Sequence, residues 1–293
     1  MDSWHFRLKG AKGASLVKAL SGGALFGTAS IFIRFLPMLD AATIGFYRLM
    51  MAAAFLAVIN YVLFRPNTLE LLSHLKHSVP LGILLGLHFI FFISAVKNTT
   101  VMNATTLVNT TPIFAMIISL AFFGIRPTFT ALVGLFVSFA GTFLIALSTA
   151  SLIPGNLRGD LEALVAAFFW ALYLNLGKPL REKVYLPFIY IVAAGLMFLV
   201  ICVSGNNLYI PGLSEFTVLV ALALLPTALG HTLHFYSLKG LTPSQAATSA
   251  LLEPVVASSL AALLFSEVPH PIFVVGAIAT ILGIFLVSKE TTS

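Results

Sequence analysis

The chain of 293 residues contains 59% apolar and 9% charged residues, with a mean hydropathy of +1.03 and a formal net charge of +6. So little polar surface cannot cover a water-soluble globule. Runs of about 20 apolar residues, long enough to cross a ~30 Å hydrocarbon core, recur along the whole length. The composition therefore excludes a soluble domain and predicts an all-α integral membrane protein embedded in the lipid bilayer.

Proline, glycine and charged residues divide the chain into ten predicted transmembrane helices with short connections. The basic, polar segment from Met1 to Lys18 is not followed by a small-residue cleavage site, so we expect the first span to be retained. The single cysteine, Cys202, lies within a span and does not indicate a redox compartment. The predicted spans are approximately 17–37, 41–64, 77–96, 101–123, 129–149, 159–178, 185–204, 214–237, 243–265 and 271–288.

The distribution of basic residues predicts the orientation of these spans. Cytoplasmic loops of membrane proteins carry more Lys and Arg than loops on the other side. With the N-terminus inside, twelve of the 16 Lys and Arg residues fall inside, only Arg34, Lys97 and Arg158 fall outside, and Arg48 lies within a span. We therefore expect both termini in the cytoplasm and a multi-pass protein of the inner or plasma membrane. The basic charge then reflects topology and does not indicate nucleic-acid binding.

The two halves of the chain share a pattern at an offset of about 142 residues. The agreement continues without a gap over roughly fifty positions, which indicates a duplicated unit. We place the first repeat, with five spans, at 1–150 and the second, with the other five, at 151–293. The matched pairs are Lys97 and Lys239, Ala104 and Ala246, Thr106 and Thr248, Pro112 and Pro254, Gly134 and Gly276, Gly141 and Gly283, and Phe143 and Phe285.

An odd number of spans in each repeat means that the second repeat crosses the membrane in the opposite direction to the first. Lys97 accordingly falls outside and its counterpart Lys239 falls inside. Inverted repeats recur in secondary transporters, whose substrate site lies near the midplane between the halves. Two similar halves that face opposite ways give inward-open and outward-open states of comparable energy. The repeat therefore predicts a carrier that works by alternating access.

The second half also resembles a known repeat. It contains Phe235-Tyr236-Ser237-Leu238-Lys239, Pro243-Ser244-Gln245-Ala246-Ala247, Leu252-Glu253-Pro254, Glu267, Gly276 and Gly283, and the first half matches more loosely through Phe46-Tyr47-Arg48, Thr111-Pro112, Gly134 and Gly141. These residues resemble the EamA repeat of the drug/metabolite transporter superfamily. The resemblance implies a ten-helix inverted-repeat carrier that exports amino acids or other small metabolites. The first half has Thr111 where the second has Glu253, so the acidic residue is not duplicated.

Ionisable side chains inside a membrane are costly and mark candidate functional positions. Arg48, early in the second span, could extend to the interface, pair with a helix terminus or bind a substrate carboxylate. Glu253 precedes Pro254, which removes a backbone hydrogen bond in the ninth span. Its carboxylate could hold a substrate ammonium group, exchange a proton, or be protonated and cap freed polar groups.

Three histidines form a second group of candidates. His231 and His234 are three residues apart and so lie on neighbouring parts of one helix face of the eighth span. They could form interhelical hydrogen bonds, line the substrate cavity or handle protons. A metal site lacks a third ligand, so no metal is predicted. His88 in the third span is a similar candidate.

Polar and aromatic side chains within spans 4 and 6 complete the predicted site. Asn103, Thr106 and Thr110 share one face of span 4, and we favour a cavity wall over helix–helix hydrogen bonding. Trp170 and Tyr173 lie one turn apart in span 6, too far from the interface for belt residues. They could stack on an aromatic or cationic substrate, or simply pack.

Two glycine pairs predict close helix contacts. Gly23 and Gly27 are four residues apart in the first span, as are Gly82 and Gly86 in the third. Small residues at this spacing let neighbouring membrane helices approach closely. We interpret both pairs as structural.

The candidate residues favour a secondary transporter that exports small amphipathic metabolites, with amino acids as the predicted substrate. Polyphosphates would require clustered Arg and Lys, which the spans lack. An exporter of cationic drugs or quaternary amines is the alternative, since Trp170, Tyr173 and Glu253 suit that substrate as well. An intramembrane enzyme would need a nucleophile–base pair, a metal triad or an acidic dyad, and no such motif is present. We predict no cofactor, protons as the candidate coupling ion, and a monomer or weak homodimer.

Overall fold

The computed structural model describes residues 2–65, 67–99, 101–148, 156–205, 208–265 and 271–289, without the side chains of 2–11, 68, 70, 101–103 and 148. The described part is helical and contains no strand. Ten segments are long and apolar enough to cross a membrane, which confirms the predicted all-α fold with ten spans in two inverted five-helix repeats. Because ten crossings return the chain to its starting side, the start of span 1 and the end of span 10 share what we call the terminal side.

The spans are numbered in chain order, and spans 4, 8 and 9 are built from more than one helix. Their bounds are Asp2–Arg34 (span 1), Ala41–Phe64 (span 2), Thr68–Asn98 (span 3), Val101–Val108 and Thr111–Phe123 (span 4), Phe129–Ser148 (span 5), Leu157–Leu180 (span 6), Leu186–Val203 (span 7), Leu213–Leu222, the π-helix Ala223–His231 and Thr232–Ser237 (span 8), Pro243–Ala250 and Leu252–Phe265 (span 9), and Pro271–Ser288 (span 10).

The contacts between spans follow the repeat. Span 1 packs against spans 8 and 9, and its counterpart span 6 packs against spans 3 and 4. Spans 2 and 7 contact each other, as do spans 4 and 9 and spans 5 and 10. Replacing each span by its counterpart in the other repeat therefore gives the same set of contacts. Eight spans, 1–4 and 6–9, supply the largest buried apolar cluster, so the centre of the bundle lies between the repeats.

The glycine pairs lie where helices approach closely, as predicted. A Cβ on Gly27 would lie 2.8 Å from the backbone oxygen of Glu253, and one on Gly82 would lie 2.8 Å from that of Ile189. Real Cβ atoms do not come so close to backbone atoms. These contacts bring span 1 against span 9 and span 3 against span 7, across the boundary between the halves.

Spans 5 and 10 also approach closely, through glycines that the repeat aligns. A Cβ on Gly283 would lie 2.5 Å from the backbone oxygen of Gly134, and one on Gly276 would lie 2.7 Å from that of Gly141. No side chain can therefore enter without moving one helix away from the other. The glycine positions of the repeat are a packing requirement of this helix pair.

We expect the substitution Gly283→Val to destabilise the fold, because the new side chain would strike the backbone of span 5. Overpacking of this kind costs about 1–3 kcal/mol. Thermal unfolding of the purified protein should show a lower Tm. Gly195→Ala in span 7 is the control, since a Cβ there meets nothing within 4 Å. Equal melting of both variants would contradict the proposed role of this contact.

Candidate site between the two repeats

Arg48 lies inside the bundle and does not reach an interface, being only 8% exposed. Its Nε donates to Thr227 Oγ1 at 3.0 Å, and its guanidinium carbon lies 5.0 Å from the centre of the Phe89 ring. Among the described residues its two Nη groups have no hydrogen-bond partner, and neither is fully buried. The interpretation that Arg48 extends to the membrane surface is therefore wrong. A guanidinium held by one nitrogen keeps the other two available for a ligand.

The π-helix in span 8 places Thr227 beside Arg48. Pro226 has no backbone N–H, so the regular hydrogen-bond ladder is interrupted at this point. The Thr227 hydroxyl donates to Leu222 O, five residues earlier, at 2.8 Å, and its oxygen accepts from Arg48. Thr227 is fully buried. Short π segments occur frequently at functional sites, and here one orients a charged side chain.

Glu253 lies in the first turn of the second helix of span 9, directly after a break at Leu251. A carboxylate in the first turn is stabilised by the unpaired N–H groups of the helix. Span 4 is interrupted at the equivalent place, at Asn109 and Thr110. Both breaks precede the paired prolines, Pro112 and Pro254, and the disruption of span 9 was predicted from Pro254. Interrupted helices at mid-membrane form the binding sites of many transporters.

Arg48 and Glu253 come near each other across the boundary between the repeats. Their side chains do not form a direct ion pair, and no described residue donates a hydrogen bond to the Glu253 carboxylate. Buried charges are normally paired, because an isolated charge inside a low-dielectric interior is costly. Because the two groups are separated, a ligand between them can place an anionic group against Arg48 and a cationic group against Glu253.

Aromatic rings from four spans surround this centre, and we call Phe26, Phe89, Trp170, His231 and His234 the ring cluster. The His231 ring lies 4.6 Å from Phe26, 5.9 Å from Phe89 and 5.1 Å from Trp170, measured between centroids. The Trp170 ring is roughly parallel to that of His234 at 5.9 Å. These rings make an apolar wall that also carries imidazole nitrogens.

Two of the histidines form the interhelical hydrogen bonds that were one predicted role. His88 Nδ1 bonds to Ala166 O of span 6 at 2.9 Å, and His234 Nε2 bonds to Ala246 O of span 9 at 2.8 Å. Because a carbonyl can only accept, each of these nitrogens carries the proton. His231 Nδ1 is buried without a hydrogen-bond partner in the described part of the chain. Of the three candidate histidines, His231 is thus the least committed to holding the fold.

The sequence model of one protein family matches the chain twice. The profile of the EamA-like transporter family covers residues 13–147, with spans 1–5, and 157–289, with spans 6–10. The chain belongs to this family.

Relatives of this transporter have few assigned substrates. An uncharacterised transporter of Archaeoglobus fulgidus is 28% identical over 89% of this chain and 92% of its own length. A probable terminal-alkyne amino-acid exporter of Streptantibioticus cattleyicolor is 28% identical over 64% of each chain, and the inner membrane transporter YedA of Escherichia coli is 26% identical over 70% and 68%. A crystal structure with 15% identity matches with a TM-score of 0.79 over 94% of this chain and 96% of that chain, which shows the same fold.

The transporter brings most of the predicted residues together, though not all of them. Trp170 stacks on Tyr173 at 5.3 Å and lies 5.0 Å from His88, so these residues join the ring cluster. Thr110 donates to Leu107 O within its own span, and the buried Thr106 hydroxyl has no hydrogen-bond partner in the described structure. No described hydrogen bond connects either threonine to Arg48. The side chain of Asn103 lies outside the described residues.

Three contributors were missed by the sequence analysis: Phe26, Phe89 and Thr227. Phenylalanines are common in membrane spans, so nothing distinguishes these two among the 26 of the chain. A signal did exist for Thr227, because Pro226 interrupts a predicted span and His231 follows one turn later. Only the packing of span 2 against span 8 shows that this interruption faces Arg48.

Proposed function

We propose that this transporter exports zwitterionic amino acids with aromatic or other apolar side chains by alternating access. The observation that carries the proposal is the pair of separated ionisable side chains, Arg48 from the first repeat and Glu253 from the second, whose Nη groups and carboxyl group have no hydrogen-bond partner among the described residues. An α-amino acid has a carboxylate and an ammonium group next to an apolar side chain. The centre between the repeats offers a guanidinium, a carboxylate and an aromatic wall.

Each part of such a substrate has a partner. The two Nη groups of Arg48 can donate a bidentate pair of hydrogen bonds to the substrate carboxylate, the strongest geometry for such a pair. Glu253 can accept from the ammonium group. The ring cluster can contact the side chain, since aromatic groups stack at centroid distances of about 4.5–7 Å. A neutral metabolite would leave both charges unpaired.

The division of the site between the repeats supports alternating access. Arg48 lies on span 2 and Glu253 on span 9, so movement of one half relative to the other changes both substrate contacts. The probable amino-acid exporter among the relatives supports the choice of substrate. We further propose proton antiport through Glu253: its carboxyl group carries a proton when the site is empty and releases that proton when the resulting carboxylate binds the ammonium group.

Counterflow in proteoliposomes tests the substrate. Vesicles loaded with unlabelled phenylalanine or leucine should take up the labelled amino acid transiently and saturably, whereas glutamate and lysine should be poor substrates. An aromatic quaternary amine tests the alternative cationic substrate. We expect little uptake of it, because Arg48 repels a cation that carries no carboxylate. Absence of saturable uptake for every amino acid would refute the proposed substrate.

Thr227 offers a milder test, because it orients Arg48 without contacting the substrate. In the Thr227→Val variant the Arg48 Nε loses its acceptor, and we expect the KM for phenylalanine to rise about fivefold, equivalent to roughly 1 kcal/mol. Thr227→Ser keeps the hydroxyl and should restore the KM. If valine and serine variants have the same KM, Thr227 does not position the guanidinium.

We also propose that the terminal side faces the cytoplasm, as the basic residues indicate. Reporter fusions at residue 1 and after residue 293 test this orientation. A cytoplasm-active reporter should be active at both ends, and a periplasm-active one at neither. Activity of the periplasmic reporter at both ends would reverse the orientation and with it the direction of export.

A further inference from the structure

A cavity lies outside the Arg48 site, on the terminal side of the bundle. Its volume is about 490 Å³, and it is bounded by the end of span 2, the start of span 3, the connection between spans 6 and 7, and the end of span 8. We call it the vestibule. Its lining includes Asn60, His74, Arg181, Glu182, Tyr185 and Tyr236.

The wall of the vestibule repeats the chemistry of the central site. Arg181 and Glu182 form an ion pair of 3.0 Å at its rim, and Tyr185 and Tyr236 supply aromatic surface. Arg181 Nη1 also donates to Lys178 O at 3.1 Å, and its buried Nε has no hydrogen-bond partner in the described structure, so cargo would bind by exchanging with these contacts. Burial raises the pKa of the Tyr185 hydroxyl, which keeps it a neutral hydrogen-bond donor. A guanidinium, a carboxylate and aromatic rings therefore line the vestibule, as they line the central site.

The wall is also fixed in place. His74 Nδ1 bonds to Lys183 O at 2.9 Å, and Tyr185 N donates to Ser78 Oγ at 2.9 Å. These bonds attach the connection between spans 6 and 7 to span 3. Because the connection belongs to the second repeat and span 3 to the first, the vestibule, like the central site, is shared by both halves.

The inner end of the vestibule adjoins the central site. Thr232 lines the cavity and directly follows His231 of the ring cluster. The Thr232 hydroxyl lies 3.5 Å from the hydroxyl of Tyr190, a fully buried residue of span 7. This contact joins spans 7 and 8 at the inner end of the vestibule.

We propose that the vestibule is a second binding site for the same zwitterionic cargo, occupied before the cargo passes the Tyr190–Thr232 contact to reach Arg48. This proposal rests on the proposed function for the identity of the cargo. A site at one end of the pathway acts only on cargo that arrives from that end. Its loss should therefore alter transport in one direction.

Thiol labelling tests whether the vestibule is a water-filled cargo site. In a Cys202→Ser background, which removes the only cysteine, Asn60→Cys places a thiol in the vestibule wall. Val62→Cys is the matched control, because Val62 lies two residues further along span 2 and is 66% exposed on the outside of the bundle. We expect a charged methanethiosulfonate to label Asn60→Cys at least about tenfold faster, since a thiol facing lipid lacks water. Phenylalanine should slow that labelling.

Side-specific transport gives the second measurement. Arg181→Gln should raise the KM about three- to tenfold for phenylalanine presented on the terminal side, and leave the KM unchanged from the other side. Right-side-out and inverted membrane vesicles separate the two directions. Arg158→Gln is the control, since Arg158 also pairs with a carboxylate, Glu162, but at the opposite end of span 6. It should not change the terminal-side KM.

The outcomes distinguish this proposal from the proposed function. Equal labelling of Asn60→Cys and Val62→Cys overturns the vestibule, as does a symmetric change of KM in Arg181→Gln. Failure of phenylalanine to protect Asn60→Cys, in vesicles that transport phenylalanine, also overturns it. If no amino acid is transported but Asn60→Cys is labelled rapidly, the proposed substrate is wrong. The labelling then shows a water-filled cavity, in which other metabolites can be screened for protection of the thiol.

Discussion

Replacing Arg48 with glutamine is expected to reduce kcat/KM for amino-acid transport on the order of a hundredfold, equivalent to about 3 kcal/mol. The guanidinium is the only described cation in the ring-cluster region, and its Nη groups have no hydrogen-bond partner among the described residues. The variant would leave a bound carboxylate facing Glu253 with no counter-charge. Counterflow of labelled phenylalanine, measured over a range of concentrations, checks the result.

Two further variants separate charge from geometry. Arg48→Lys keeps the charge but cannot donate in the bidentate geometry, so we expect an intermediate loss. Arg34→Gln changes an exposed arginine at the end of span 1, where it lies over Phe265, and should have little effect. An unchanged KM in Arg48→Gln, with the protein still folded, would show that the carboxylate binds elsewhere.

The substitution Glu253→Gln should abolish accumulation driven by a pH gradient and raise the KM for counterflow at least about tenfold. Glutamine has nearly the same shape and can still accept a hydrogen bond, but it has no charge to hold an ammonium group and no proton to release. Because the Glu253 carboxylate has no described hydrogen bond to lose, the variant should fold normally. Uptake with and without an imposed gradient measures both effects.

A matched control is available in span 8. Glu215 also lies in the first turn of a helix, where it accepts from Gly212 N at 2.9 Å, but it lies far along the span from the central site. Glu215→Gln should leave transport unchanged. If Glu253→Gln retains gradient-driven accumulation and a normal KM, this carboxylate takes no direct part in transport. Loss of accumulation with a normal KM would assign it to proton coupling alone.

The sequence predicted the ten spans closely, because both span length and span boundaries depend on local properties. The predicted second span, 41–64, coincides with the helix Ala41–Phe64, and the predicted tenth, 271–288, with Pro271–Ser288. An apolar stretch must match the thickness of the bilayer, and a charge or proline at its end marks the water interface. The glycine contacts were predictable for the same reason, since a residue without a side chain is visible in the sequence itself.

The site was only partly predictable. Arg48, Trp170, His231 and Glu253 stand out because polar and large aromatic side chains are rare within spans. Their partners do not stand out. Thr227 is one of many threonines, and its importance arises from a π-helix that turns it toward a different span.

The sequence by itself determined the class of this protein: a membrane-spanning bundle built from one unit used twice in opposite orientations. Hydropathy acts over about twenty neighbouring residues, and a duplication leaves its pattern in the order of the residues. Only the tertiary structure decided that Arg48 faces inward, that Glu253 makes no direct ion pair with it, and that a cavity opens on the terminal side of the bundle. These features depend on which spans pack together. Arg48 and Thr227 are 179 residues apart in the sequence and come into contact only in the folded bundle.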